Sequence, residues 1–197
     1  MTLYDPCCGS GYLLTVLAFL HQADLRQLIG SDIDAEAVAL ARRNLALTEP
    51  AGLTQRIAEL ETLLAQHGKQ AHQQALGSAE GLRSRLPAPP LPHTLFQADI
   101  LDQAALKPYL AAKSPDLVIA DLPYGQQSSW QGEAVSASNT PIDRLLETLL
   151  TVSTPQTVIA LVSTVKQQLA HPQYRQLGRL KVGKRHGIFL HPTEIGH

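Results

Sequence analysis

Four short β-rich runs in this chain each run into an aspartate, and the first is followed at once by a glycine loop and an apolar helix. Thr2-Leu3-Tyr4 leads to Asp5, Leu28-Ile29 to Asp32, Leu95-Phe96 to Asp99, and Asp116-Leu117-Val118-Ile119-Ala120 to Asp121. Helical patterns separate them. Leu13 to Leu20 is almost wholly apolar, and Asp34 stands as the N-cap of a helix with Val38, Ala41 and Leu45 on one face. A helix from about Pro141 to Leu150 follows, then a fifth strand over Thr157 to Val162. Leu180-Val182 and Ile188-Leu190 form a closing hairpin around Gly183 to Gly187. This alternation predicts an α/β fold with a mostly parallel sheet covered on both faces, ending in an antiparallel hairpin. Ligands of open α/β sheets bind at the carboxyl edge of the strands. One aspartate there is as readily a turn residue or a helix cap; four in register beside a glycine loop mark a site.

The stretch from Thr48 to Pro92 interrupts the pattern. Leu53, Ile57, Leu60 and Leu64 share one helical face, a second helix covers Gln70 to Leu86, and Pro87, Pro89, Pro90 and Pro92 make a stiff exit. We read 48–92 as a helical hairpin inserted between the second and third strands of a single domain spanning residues 1–197. Its charges balance, which suits either simple packing or a substrate-facing lid. No apolar run approaches the roughly 20 residues of a membrane span, and no signal-peptide pattern opens the chain. The two cysteines, Cys7 and Cys8, are adjacent, which argues against a disulfide framework or a CxxC metal site. The histidines are scattered, with no HxH or HExxH, so no metal site is expected. These features describe a cytoplasmic protein, read as a monomer.

Asp5-Pro6-Cys7-Cys8-Gly9-Ser10-Gly11 joins strand to helix, and its glycines let backbone approach a ligand at the helix N-terminus. No lysine follows as in a phosphate loop, and Leu14 occupies the third glycine position of a dinucleotide fingerprint. Asp32, about twenty positions on, is placed to accept hydrogen bonds from a ribose diol, with Ile33 beside it. Asp99 and Ile100 at the next strand end could hold an adenine amino group and cover its ring. A nucleoside without a pyrophosphate fits this set, which points to S-adenosyl-L-methionine (SAM) rather than NAD. The cysteines read better as compact loop residues than as nucleophiles.

Asp5 to Gly11, Asp32, Asp99 and Asp121-Leu122-Pro123-Tyr124 resemble the successive motifs of class I SAM-dependent methyltransferases, which implies their Rossmann-like fold. Within that superfamily, Asp5 to Thr15, Asn44-Leu45-Ala46-Leu47, Pro50-Ala51-Gly52-Leu53-Thr54, Asp121 to Gly125 and Arg179-Leu180-Lys181-Val182-Gly183 resemble the avilamycin-resistance 23S rRNA methyltransferases of the AviRa type. The resemblance covers most of the chain, including the helical insertion. It implies methylation of a guanine base of 23S rRNA or the large ribosomal subunit at ring nitrogen N1, an atom the residues themselves do not reveal. It also implies an antibiotic-resistance role, which the sequence does not separate from housekeeping. Members carry a helix and further residues ahead of the first strand, whereas four residues precede Asp5 here. An N-terminal segment is therefore expected to be missing, with SAM affinity and activity weakened.

Asp121-Leu122-Pro123-Tyr124 resembles the [DN]PP[YFW] motif of enzymes that methylate nitrogen in planar rings, with Leu122 replacing the first proline. SAM's methyl group is already activated, so the enzyme's task is alignment. The Asp121 carboxylate and the Leu122 carbonyl are candidate acceptors for protons of the target nitrogen, Pro123 stiffens the turn, and Tyr124 would stack on a flipped-out base. Trp130, on the Gly- and Ser-rich loop that follows, either stacks on a neighbouring nucleotide or anchors the loop.

Charge supplies the partner. From Met1 to Glu147 there are 10 Lys+Arg against 16 Asp+Glu, net -6, and from Thr148 to His197 there are 6 against 1, net +5. The near-neutral total of -1 hides this asymmetry and does not exclude a nucleic acid. Lys166, Arg179, Lys181, Lys184 and Arg185 form a candidate track for RNA phosphates; the alternative is an ordinary solvated basic face. Two other functions stay open at this level, a methyltransferase for another nucleic acid, a protein or a small molecule, and a non-catalytic SAM- or RNA-binding module.

Overall fold

The computed structural model describes residues 1–86, 89–110, 114–122, 141–163 and 171–193. The elements run β1 (Thr2–Asp5), α1 (Tyr12–Leu20), β2 (Gln27–Asp32), α2 (Ala35–Ala46), α3 (Pro50–His67), α4 (Gln70–Arg83), β3 (His93–Gln97), α5 (Gln103–Leu110), β4 (Leu117–Asp121), α6 (Pro141–Leu150), β5 (Val158–Ser163), β6 (Tyr174–Val182) and β7 (Arg185–Pro192). They build one seven-stranded sheet in the order β3-β2-β1-β4-β5-β7-β6. β1 to β5 are parallel and β7 is antiparallel to both β5 and β6. The α/β sheet with a closing hairpin is as expected.

Alternation along the strands divides the core between the two faces of the sheet. Tyr4 and Ile29 enter one cluster with Phe96, Leu106, Val118, Leu145, Leu146 and Leu149. Leu3 and Leu28 enter the other, with Leu14, Val38, Leu45 and Leu95. The apolar character of α1 is thereby used, with Leu14 and Ala18 fully buried. Asp34 caps α2 as expected, its carboxylate accepting the Glu36 N–H at 2.8 Å. α3 and α4 lie between α2 and β3 and pack on each other through Leu53, Ile57, Leu60 and Ala79.

Three expectations need correction. Asp99 does not end a strand: β3 stops at Gln97, and Asp99 stands two residues beyond, where its carboxylate accepts the Leu101 N–H at 2.8 Å in a turn. α5 is a helix the sequence pattern did not announce; its Tyr109 ring stacks on Phe96 with centroids 3.9 Å apart. The hairpin is also much longer than the two apolar triplets suggest, reaching from Tyr174 to Pro192. A buried Tyr174 ties its start to α6, donating its hydroxyl hydrogen to the Leu146 carbonyl at 2.8 Å.

Candidate active site

Because β1 to β5 are parallel, their carboxyl ends share one edge, and Asp5, Asp32 and Asp121 each close a strand there. β7 runs the other way, so its first residue, Arg185, arrives at the same edge. The turn of the β6–β7 hairpin is Gly183-Lys184, with Gly183 at φ 58° and no other residue of the turn at positive φ. That is the pattern of a type II′ turn, with glycine at its first central position.

The loop after β1 is held through its backbone N–H and C=O groups, which bond to β2, to α2 and to the flanking aspartates. The Cys8 N–H donates to the Ser31 carbonyl at 2.9 Å and the Gly11 N–H to the Cys8 carbonyl at 2.7 Å. The Asn44 side chain donates to the Ser10 carbonyl at 2.9 Å, which pins the loop to α2. Gly11 sits at φ 70° as the N-cap of α1, and a Cβ there would lie 2.8 Å from the Ala41 Cβ. Gly9 has φ 51°, and among the described residues nothing lies within 4 Å of where its Cβ would be, so they leave open space beside the loop.

Two carboxylates flank that space. Asp5 is buried, 3% exposed, and accepts the Cys7 N–H at 3.1 Å. Burial pushes its carboxyl up to about 7, opposed by the Cys7 N–H and reinforced by the negative charges of Asp32 and Asp121. Asp32 is half-buried and braces the loop: one oxygen accepts the Gly9 N–H at 2.8 Å, the other the Asp34 N–H at 3.0 Å. Each carboxylate oxygen has two lone pairs, so two acceptor positions remain for a diol. Burial raises the Cys7 thiol far above its ordinary value and the Cys8 thiol to about 12, which leaves neither as a thiolate nucleophile at neutral pH. Ile33 is exposed beside Asp32, whereas Ile100 is only 5% exposed and packs in the core with Phe96 and Leu106. Its branched side chain follows the turn at Asp99 inward, so it offers a ligand at most an edge.

On the other side of β1, Asp121 is half exposed, and the Leu122 N–H donates to the Val162 carbonyl at 3.0 Å while its side chain is buried. Asp121 forms an ion pair with Arg185. Register explains the meeting. Asp121 pairs with Val162, Val162 with Gly187, and Arg185 lies two residues further toward the edge on the same face as Gly187. Leu180 and Val182 share that face, while Arg179 and Lys181 alternate to the other. The basic residues of the hairpin are thus divided: Arg185 joins the aspartates, Lys184 is exposed at the turn, and Arg179 and Lys181 are exposed on the opposite face. Pro123, Tyr124, Trp130 and Lys166 lie outside the described residues. The Arg185–Asp121 pair is the feature that sequence reasoning missed, because it depends on the register of three strands. Among the described residues no group of three His, Cys, Asp or Glu could hold a metal ion.

A sheet of this order, with a glycine loop after its first strand and carboxylates along its carboxyl edge, defines a class I methyltransferase, whose methyl donor is SAM. Comparison with known proteins narrows the class. The sequence model of a family described as rRNA methyltransferase AviRa matches residues 1–185. A Streptomyces viridochromogenes protein named 23S rRNA (guanine(2535)-N(1))-methyltransferase is 40% identical over 197 residues, 99% of this chain and 77% of that protein. A solved structure of rRNA methyltransferase aviRa from the same organism matches with a TM-score of 0.83 at 41% identity, over 96% of this chain and 76% of the other. TrmN from Thermus thermophilus shares the fold alone, with a TM-score of 0.52 at 15% identity over 98% of this chain and 44% of that one. The chain belongs to the AviRa rRNA methyltransferase family.

Proposed function

We propose that this protein methylates ring nitrogen N1 of a guanine in 23S rRNA, the reaction named for its Streptomyces relative, and that Asp121 receives the base. The observation that carries the reading is the position of Asp121. It is a half-exposed carboxylate at the carboxyl end of β4, next to the β1 loop at which SAM is expected. The loop suits that ligand, since the open space that the described residues leave beside Gly9 makes backbone approachable and Asp32 retains free acceptor positions. Asp32 and Ile33 would hold the ribose, Asp99 the adenine, and the Asp5–Gly11 loop the methionine part. SAM, when bound, supplies an activated methyl group.

The chain's own residues then have to present the base. Guanine carries N1–H and N2–H side by side, and a carboxylate accepts both with its two oxygens. Asp121 in this role orients N1 and takes up the proton that N1 must lose. The Leu122 carbonyl follows it, and Tyr124, two residues on in sequence, supplies an aromatic face for stacking. Its substrate, rather than its fold, calls for basic surface: Lys184, Arg179 and Lys181 are exposed on the hairpin and would meet RNA phosphates. No helix among the described residues is long and apolar enough to cross a membrane.

Asp121→Ala tests the reading. Transfer of labelled methyl groups from SAM to 23S rRNA should fall about 1,000-fold or more, with SAM affinity by calorimetry unchanged. Turnover near that of the wild type would remove Asp121 from the reaction.

A further inference from the structure

Arg185, which charge alone groups with the candidate phosphate contacts, is instead paired with Asp121. Arg185 opens β7, and the row Asp121–Val162–Gly187 fixes its distance from β4 across the end of β5. Both side chains are about half exposed, 51% for Arg185 and 48% for Asp121, so the pair is open to a ligand at the carboxyl edge of the sheet. An exposed pair of this kind contributes little to stability, so it is readily rearranged.

Guanine's Watson–Crick edge is a row of O6, N1–H and N2–H: one acceptor followed by two donors. Asp121 offers two acceptors, and the guanidinium beside it offers donors in a planar fork. Together they complement the whole row. We propose that Arg185 is a specificity-determining and catalytic residue that donates to O6 of the target guanine while Asp121 accepts from N1 and N2. Adenine presents a donor in place of O6 and an acceptor in place of N1–H, and clashes with both partners. Without a base, the guanidinium rests on the carboxylate; with one, it moves a single contact over to O6 and the ring takes its place on Asp121.

The same contact serves the transfer. As the N1–methyl bond forms, the sulfur–methyl bond breaks with its electron pair left on sulfur. The N1–H proton passes to the Asp121 carboxylate, and the pair of the N1–H bond stays with the ring. Charge that builds on the ring during this exchange is shared between N1 and O6, and a guanidinium at O6 stabilises it where it develops. Removing one such donor costs about 100- to 1,000-fold in rate. This assignment rests on Asp121 being the base-binding carboxylate.

Arg185→Gln and Arg185→Lys decide it, measured by turnover at saturating 23S rRNA, SAM titration, and rRNA binding at several salt concentrations. In Arg185→Gln, turnover should fall about 100-fold or more, SAM affinity should hold, and the salt slope of binding should match the wild type. Arg185→Lys, a point charge without the fork, should recover part of the rate. Preserved turnover with a slope smaller by about one would make Arg185 a phosphate anchor and overturn the assignment. Loss of SAM affinity in both variants would make the pair a structural tie and overturn it as well. Asp121→Ala assayed in parallel separates the two readings. Full activity there removes the base site itself, whereas an inactive Asp121→Ala beside a fully active Arg185→Gln strikes Arg185 alone.

Discussion

The two halves of the carboxyl edge are built in opposite ways. At β1 and β2, the loop is fixed by backbone hydrogen bonds and by carboxylates that accept from backbone N–H groups, with Asp5 buried and Asp32 braced on Gly9 and Asp34. At β4 and β7, the carboxylate of Asp121 is held by a half-exposed side chain from a hairpin two strands away. Folding therefore completes the first half in advance, as suits the preorganised site of a small ligand. The second half keeps an exchangeable ionic contact that an entering base can replace. Stability and chemistry are drawn from different places, so substitutions on the two sides should separate them.

The largest effect belongs to Asp5. Its folded pKa of about 7 stands well above its ordinary value of 3.8, chiefly because burial disfavours the charged form. The unfolded chain releases this proton first, so between about pH 4 and pH 7 it binds fewer protons than the folded one. Stability must then fall as pH rises through that window, and the penalty is complete above pH 7. A shift of this size corresponds to something on the order of 4 kcal/mol. Asp5→Asn keeps an acceptor for the Cys7 N–H and removes the titration. Urea unfolding of the ligand-free protein should show the variant gaining on the wild type from pH 5 to pH 8. Parallel curves would mean that Asp5 is better solvated than its burial indicates, and the contrast between the two halves would lose its main support.

Gly11→Ala comes next. The left-handed conformation costs a non-glycine residue about 1–2 kcal/mol, and the new Cβ would stand 2.8 Å from that of Ala41. Crowding of that kind adds roughly 1–3 kcal/mol, so a loss of about 3 kcal/mol is expected, together with weaker SAM binding. Thermal unfolding and calorimetry read the two quantities separately. Lost affinity at unchanged stability would show that the loop is not welded to α2 as the contact implies.

The half of the edge built by local rules is the half that could be read from sequence. Asp5, Asp32 and the glycines follow from strand-to-helix turns within a few residues, and Asp34 caps α2 as its position predicts. α5 escaped because it is short, carries Pro108 and buries only Leu106 and Leu110, too little for a periodic signal. β6 gives a weak sequence signal because this edge strand shows exposed residues in succession rather than alternation. Asp99 reads as a strand end because an aspartate in a turn looks the same in sequence. Charge alone groups Arg185 with the other basic residues, and no local pattern separates it from them. Its contact with Asp121, 64 residues away, is set by the pairing of β4, β5 and β7.

The smallest effects should fall on Lys184, and they sharpen the comparison most. Lys184 and Arg185 are neighbours in sequence, but the turn directs them apart: Lys184 is exposed at its tip and Arg185 returns along β7 to Asp121. Lys184→Ala should leave stability within about 0.5 kcal/mol, as for most surface substitutions. Turnover at saturating rRNA should also hold, because the residue does not reach the carboxyl-edge aspartates. Binding of rRNA should weaken a few-fold, with the salt slope smaller by about one, the signature of a single phosphate contact. The adjacent positions then give inverse results, a changed slope with an intact rate at Lys184 and an intact slope with a lost rate at Arg185. A flattened slope in both variants would join the whole hairpin turn into one phosphate-binding surface and leave Asp121 to receive its base alone.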